Sequence, residues 1–371
     1  MAGRCERGLS NSRDNSLFIF LTVASFACFV PRILTLAFFC PGNSTCAGFA
    51  INSPQHGQHK VWFEFFVILF RHIFENILQL HEIETIPHGM AEVTLLGIAQ
   101  DGGRPQPMCK KPCCANVGLD ERAFPTSLGV KFEDSSTHLF DATRNLGDQL
   151  EIWQENLPSH VWLTHAHFGH VDGLGLFGRE TIGAQGITLH VSQQMKQLIQ
   201  NTPQWAIMLE QGVFTLEVYT TGDEISFGSE TIIPLLVPHR DELSDMHAFI
   251  IKGKEKSLLY LSDHDTWEET LSLYNCKLVR EWLDKFDIDT AFIDGTFWSY
   301  EELSERSQEE VPHPPVSQTI AHLGIRLPTD PEIYFIHLNH TNPLYDTSSL
   351  AYRTVESMGW KVGFQGMRVT L

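Results

Sequence analysis

From Met90 onward, apolar positions come in short runs separated by turn residues. Val93–Ala99, Leu128–Phe132, His138–Phe140, Val161–Leu163, Ile187–Val191 and Thr231–Val237 read as strands, as do Ala248–Ile251, Leu258–Leu261, Ala291–Ile293, Ile333–Ile336, Lys361–Phe364 and Met367–Leu371. Helical periodicity falls between them. Trp267–Phe286 predicts one long helix and Val316–Leu323 a short one. Thr347–Met358 predicts another, with Asp346 as N-cap and Gly359 at the C′ position. Many strands with interspersed helices predict two sheets covered by helices rather than one parallel sheet. No internal repeat or low-complexity tract interrupts the pattern.

The first 89 residues differ in kind. Leu17–Val30 is an uncharged apolar run behind Arg4, Arg7 and Arg13, the length of a signal-peptide core and short for a membrane span. Extending it through 17–40 would bury Arg32 in hydrocarbon, which is costly. Val61–Leu80 contains Glu64, Arg71, His72 and Glu75 and reads as an amphipathic or core-docking helix. Three readings of 1–89 compete: a signal or anchor, an irregular extension, or translation that truly starts at Met90. The abrupt onset of strand pattern at Met90 favours the third. A start at Met90 predicts a cytoplasmic protein, and a working 17–40 segment predicts a membrane-anchored or secreted one. Asn43 is a glycosylation acceptor only in the secretory case. The remainder, 90–371, reads as one domain.

Charge sharpens this division. The 371 residues carry 26 Lys+Arg and 45 Asp+Glu, a net charge of −19. Segment 1–89 is neutral: Arg4, Arg7, Arg13, Arg32, Lys60 and Arg71 balance Glu6, Asp14, Glu64, Glu75, Glu82 and Glu84. The whole excess therefore lies in 90–371, which argues against nonspecific nucleic-acid binding. A small-molecule substrate fits better, a homodimer is compatible with the sequence, and membrane association would come only through 17–40.

The chemistry-bearing residues stand at strand ends. His165, His167 and His170 directly follow the strand ending at Leu163-Thr164. In an extended loop His165 and His167 point the same way and His170 enters the next turn, a spacing that suits metal ligation. His239, Asp263, His337 and His340 each follow a later strand. One polar residue after a strand is ordinary, but several strands that each deliver a ligand type are not. Cys109, Cys113 and Cys114 place three thiols in six residues, which fits a zinc site, a disulfide or free thiols. His313, between prolines, is either a loop residue or a general acid.

His-x-His-x-x-His after a strand, then Pro238-His239, Leu261-Ser-Asp263 and His337-x-x-His340, resembles the metallo-β-lactamase fold over 90–371. Asp141 in Leu139-Phe-Asp-Ala142 matches that fold's structural aspartate, which orients the ligand loop. Gly97-Ile-Ala-Gln-Asp-Gly-Gly-Arg-Pro-Gln106 and His337-Leu-Asn-His-Thr-Asn-Pro343 are similar to coenzyme PQQ biosynthesis protein B. The Cys cluster, His337-x-x-His340 and Val362-Gly-Phe-Gln-Gly-Met367 are similar to phosphoribosyl cyclic phosphodiesterases.

The resemblance implies an α/β (α+β) protein with a four-layer αββα sandwich and a two-metal site at its edge. His165, His167 and His239 would hold one ion, His170 and His337 the other, and Asp263 both, with Zn or Mn as the metal and Fe as an alternative. The family usually carries Asp where Gly169 stands, so this chain should bind the second ion more weakly. Asp172 has the wrong spacing to replace it. Cys109, Cys113, Cys114 and His340 would hold a structural zinc. Arg240, Asp241, Glu242, Asp294 and Trp298 are candidates to line the cleft, and His247, His264 and Asp265 to support it.

The implied activity is hydrolysis of a small phosphodiester or related ester, with Asp263 positioning hydroxide and His313 protonating the leaving oxygen. Two alternatives stand beside it: a mononuclear iron enzyme that activates oxygen, and a noncatalytic carrier on the same fold.

Overall fold

The computed structural model describes residues 90–302 and 311–371, together with the backbone of two short strands, Leu34–Leu36 (β1) and Phe49–Ile51 (β2), which pair antiparallel. The chain divides into two compact units, Met1–Thr85 and Ile86–Leu371. The apolar stretches 17–30 and 61–80 and the acceptor Asn43 lie outside the described residues. Among the described residues no helix is long and apolar enough to cross a membrane.

The second unit is built from two seven-stranded sheets. Its strands in chain order are Glu92–Gly97 (β3), Ser127–Lys131 (β4), Thr137–Phe140 (β5), His160–Trp162 (β6), Ile187–Val191 (β7), Phe214–Val218 (β8) and Ile225–Phe227 (β9). Glu230–Val237 (β10), Met246–Lys252 (β11), Ser257–Leu261 (β12), Thr290–Asp294 (β13), Glu332–Ile336 (β14), Lys361–Val362 (β15) and Arg368–Thr370 (β16) follow. One sheet runs β16-β3-β4-β5-β6-β7-β8 and the other β15-β14-β13-β12-β11-β10-β9. The chain thus returns at its end to complete the sheet with which the domain begins.

Each sheet is half antiparallel and half parallel. Strands β5 to β8 run parallel, as do β12 to β15. Helices Leu146–Trp153, Gln193–Asn201 and Pro203–Glu210 make crossovers in the first sheet, and Trp267–Leu273, Val279–Lys285, Val316–Leu323 and Leu350–Ser357 in the second. Parallel strands bring their carboxyl ends to one edge. Strand β10 joins them, because it is antiparallel to β11, which is antiparallel to β12. Residues following β5, β6, β10, β12, β13 and β14 therefore share a rim.

Facing apolar side chains hold the sheets together. Val93, Val130, Phe140 and Trp162 from the first sheet share a buried cluster with Ile232, Phe249, Tyr260 and Phe292 from the second. The Phe140 and Phe249 rings meet edge-on at 5.1 Å. A second cluster packs the crossover helices on the outer face of the first sheet. There a side chain at Gly129 would strike the Trp153 indole, 2.5 Å from the Cβ position.

Two helix expectations need correction. Trp267–Phe286 is two helices, because Asn275 takes a left-handed φ of 54° and Cys276 N–H returns to the Leu271 carbonyl. The last long helix begins at Leu350, not Thr347. Ser349 is its cap, with Oγ accepting from Tyr352 N–H, while Asp346 accepts from Ser348 N–H in the preceding turn. Gly359 does take the left-handed conformation, at φ 86°. The pattern reading also missed β8 and β9. Both are edge strands with largely exposed or half-buried side chains, so their apolar signal is weak.

Candidate metal centre

The site starts from a buried carboxylate at the end of β5. Asp141 is fully buried with φ 62°. Its Oδ1 accepts from the Thr164 backbone N–H and hydroxyl, both at 2.9 Å, and its Oδ2 lies 2.7 Å from His170 Nδ1 and accepts from the Tyr260 hydroxyl at 3.3 Å. These bonds fix the loop leaving β6. His165 and His167 follow Thr164 in extended backbone, and the His170 N–H bonds back to the His167 carbonyl to start a short turn of helix, Phe168–Val171.

The other strands deliver their residues to the same place. His239 follows β10, Asp263 follows β12 and His337 follows β14 with φ 60°. His165, His167 and His239 form one group whose ligand atoms lie within 4.8 Å of one another, and His165, His170 and Asp263 form a second. His165 Nε2 and His167 Nδ1 are 2.9 Å apart. Asp263 Oδ1 lies 3.4 Å from His170 Nε2, and its Oδ2 lies 3.2 Å from His337 Nε2 and 3.9 Å from His239 Nε2. Metal–ligand bonds of about 2.0–2.2 Å put tetrahedral ligand atoms roughly 3.3–3.6 Å apart, so the spacing suits divalent ions.

Three atoms that face the cluster are left without a hydrogen bond. His239 Nε2, His337 Nε2 and Asp263 Oδ1 are buried and make no hydrogen bond. The opposite ring nitrogens are all engaged. His239 Nδ1 meets Asp265 Oδ1 at 2.9 Å, His337 Nδ1 meets Thr296 Oγ1 at 2.8 Å, and His165 Nδ1 meets Thr164 Oγ1 at 3.0 Å. A ring whose Nδ1–H is donated outward presents its Nε2 lone pair inward, the tautomer a metal ion needs.

Electrostatics agree with that tautomer. Burial and the neighbouring His170 hold His165 well below the usual imidazole range. Burial and His239 bring His167 down to about 4. Burial also lowers His337, only partly countered by Asp263 and Asp294. Burial opposes charge on Asp263, yet His337, His170, His165 and His239 outweigh it and hold the carboxyl well below the usual range. His170 is the exception: burial opposes its charge, but Asp263, Asp141 and Asp101 raise it well above the ordinary value.

With this geometry in view, the comparisons are informative. Residues 137–338 match the beta-lactamase superfamily domain. The chain belongs to this superfamily. It is 23% identical over 302 residues to coenzyme PQQ synthesis protein B of Xanthomonas oryzae pv. oryzae, spanning 75% of this chain and 99% of that protein. The Methylococcus capsulatus protein of the same name is 25% identical over 317 residues. The structure of Zn(2+)-bound PqqB from Methylobacterium extorquens superposes with a TM-score of 0.61 at 20% identity, covering 76% of this chain and all of that one. A diphosphatase from the PhnP family follows at 0.55 and 17% identity, covering 76% and 97%. The fold is the metallo-β-lactamase αββα sandwich.

A second donor cluster of this superfamily member lies beside the first. Cys109 Sγ is 3.9 Å from Cys113 Sγ, and His340 Nδ1 is 3.5 Å from Cys113 Sγ and 3.4 Å from Cys114 Sγ. Tetrahedral zinc with Zn–S about 2.3 Å and Zn–N about 2.0–2.1 Å puts sulfurs roughly 3.8 Å apart and sulfur and nitrogen roughly 3.6 Å apart. All three thiols are free, so they form no disulfide. Beside the cysteine cluster opens a cleft of about 700 Å³, lined among others by Cys109, His340, Asp101, Lys110, Lys111 and Arg144.

His313 is buried, with its ring 5.2 Å from His239 and 5.6 Å from His337. Its Nδ1 lies 2.6 Å from Asp294 Oδ2, and Asp294 outweighs the effect of burial to raise its pKa. Asp294 therefore does not line the cleft. It is fully buried, and its Oδ1 accepts from the Thr296 N–H and hydroxyl. His247 lies apart from the cluster, with Nε2 on Thr221 Oγ1. Asp172 is paired with Arg144 at 2.8 Å. Sequence reasoning missed Thr164 and Thr296 as orienting hydroxyls, and it did not single out Asp101, whose Oδ1 lies 3.5 Å from His170 Nε2. A polar residue two places after Asp294 and another just before His165 were the available signals.

Proposed function

We propose that this protein is a metal-dependent hydrolase of a small phosphodiester or related ester. The observation that carries the reading is the set of buried, unbonded atoms, His239 Nε2, His337 Nε2 and Asp263 Oδ1, aimed into one space. Each unsatisfied buried polar atom costs about 1–3 kcal/mol, and divalent cations would satisfy all of them. His165, His167 and His239 then hold one ion, His170 and His337 the other, and Asp263 both. Bound ions supply activated water near neutral pH and Lewis-acid polarisation of the ester.

The chain's own groups do the rest. Asp141, Asp265 and Thr296 lock the ligand rings, so little reorganisation accompanies reaction. Asp294 favours the protonated form of His313 beside the cluster, where the ring is placed to pass a proton to the leaving oxygen. Lys110, Lys111 and Arg144 on the cleft wall favour an anionic substrate in an otherwise acidic protein. The similarity to a PhnP-family diphosphatase supports a phosphoester. Cys109, Cys113, Cys114 and His340 hold a structural zinc in the same reading.

The test is turnover of bis(p-nitrophenyl) phosphate by wild type and by His239→Ala, each stripped and then reloaded with Zn or Mn. Metal-dependent turnover that is lost in the variant supports the proposal. One iron per chain and oxygen consumption without ester cleavage would overturn it in favour of oxygen activation.

A further inference from the structure

The first ion's three imidazoles form a complete set for an open site, but the second position has only His170, His337 and the shared carboxylate of Asp263. A further donor reaches it from a different part of the chain. Asp101 lies in the loop after β3, and its Oδ1 is 3.5 Å from His170 Nε2. It groups with His170 and His337 as a potential metal-holding set. The side chain is partly open to the cleft, yet Oδ1 itself is buried and makes no hydrogen bond. It is thus another inward-facing lone pair of the kind found on His239, His337 and Asp263.

Gly169 is the counterpart of this arrangement. A Cβ at position 169 would sit 2.0 Å from Asp101 Oδ1, 2.6 Å from its Cγ and 2.7 Å from its Cα. The last of these is backbone, so the conflict cannot be relieved by turning the Asp101 side chain. The space that a side chain at 169 would occupy is filled by the Asp101 carboxylate. With the loop at 101 on this course, a side chain at 169 is excluded, and the Asp101 carboxylate fills its place.

We propose that Asp101 is a ligand of the second metal ion, taking from the β3 loop the role that Gly169 leaves vacant on the histidine loop. The loop is held for this task. Gln100 N–H donates to the Leu338 carbonyl at 2.9 Å, Ala99 bridges Leu338, and the Cys113–Cys114–His340 contacts join the same two segments further on. Asp101 and His337 therefore come from loops that are tied together twice. The weak second site expected from Gly169 becomes a complete one with two imidazoles and two carboxylates.

The proposal rests on the two-ion reading above, and its test separates the two. The purified chain, with its cysteines intact, is stripped and titrated with Co(II), and metal per chain is counted by elemental analysis. Thiolate-to-cobalt charge-transfer absorption reports the cysteine cluster independently of the histidine centre. Wild type should take two ions at the histidine centre. Asp101→Ala should keep the thiolate band and the tighter histidine ion but bind the other at least about 10–100-fold more weakly, the loss seen when even a supporting partner of a ligand is removed. Gly169→Ala should give the same loss by displacing Asp101. Unchanged two-ion binding in Asp101→Ala would overturn the proposal, as would unchanged two-ion binding in Gly169→Ala. Wild type that takes no ion at the histidine centre would overturn the hydrolase reading itself, and this inference with it.

Discussion

Asp141 shows how much one side chain carries. It is completely buried and receives hydrogen bonds from Thr164 twice and from Tyr260, and it pairs with His170. Asp141→Ala would leave the Thr164 N–H, the Tyr260 hydroxyl and His170 Nδ1 without their buried acceptor, so it should cost about 3–5 kcal/mol in urea unfolding, the range for breaking a buried pair. A cost below about 1 kcal/mol would mean that His170 is neutral and the loop is held by other contacts. His313 bears on catalysis rather than stability. If it protonates the leaving oxygen, His313→Gln should slow hydrolysis of an alkyl phosphodiester about 10²–10⁴-fold and barely affect a p-nitrophenyl ester, whose leaving group needs no proton. Equal loss on both esters would assign His313 a structural role. The residues that gather at the rim were legible in the sequence because each is a polar residue directly after an apolar strand, a local pattern. Asp101 and Thr296 were not, because each acts on a partner from a different strand and only the folded rim reveals it.

Elements were legible where burial imposes a regular pattern. Strands β10 to β14 are almost entirely buried and read as continuous apolar runs. The edge strands β8 and β9 were invisible for the opposite reason, and the break at Asn275 was hidden because apolar residues continue at helical spacing on both sides of it. The cysteine loop is an element without regular structure, fixed by its contacts with His340. Burial and the adjacent thiols of Cys109 and Cys114 push the Cys113 thiol up to about 11, so it is protonated in the metal-free chain at neutral pH. Zinc must displace that proton. Zinc affinity at this cluster should therefore rise with pH and fall on acidification, by about tenfold per pH unit for each thiol proton displaced. A competition titration with a chromophoric chelator between pH 6 and about 8 measures the slope. A flat profile would show that the thiols are not the ligands. Cys113→Ser should in addition weaken ion binding at Asp101, because the staple joining its loop to the His337 loop is lost.

At the scale of the molecule, the rim is where the two sheets are joined by something other than apolar packing. The first sheet supplies His165, His167 and His170 through the loop after β6. The second supplies His239, Asp263 and His337 after β10, β12 and β14. Ions bound there would cross-link the sheets, and their removal would leave buried donors and acceptors unsatisfied at one end of the sandwich while the apolar core between the sheets stays intact. Binding to the folded state alone stabilises it by about 4 kcal/mol per site when free metal is about 1,000 times Kd. At about 2–4 °C per kcal/mol for a domain of this general size, stripping should lower Tm by on the order of 10 °C for each ion removed. The loss should also be local. Hydrogen exchange in the stripped protein should quicken in the loop after β6 and at the carboxyl ends of β10, β12 and β14. Strands β16 and β4 carry none of the proposed ligands, so they should keep their protection. Calorimetry and exchange on stripped and reloaded chain measure both. A lower Tm with uniformly faster exchange would show that metal stabilises the fold as a whole, and an unchanged Tm would show that the rim histidines do not hold ions that bridge the sheets.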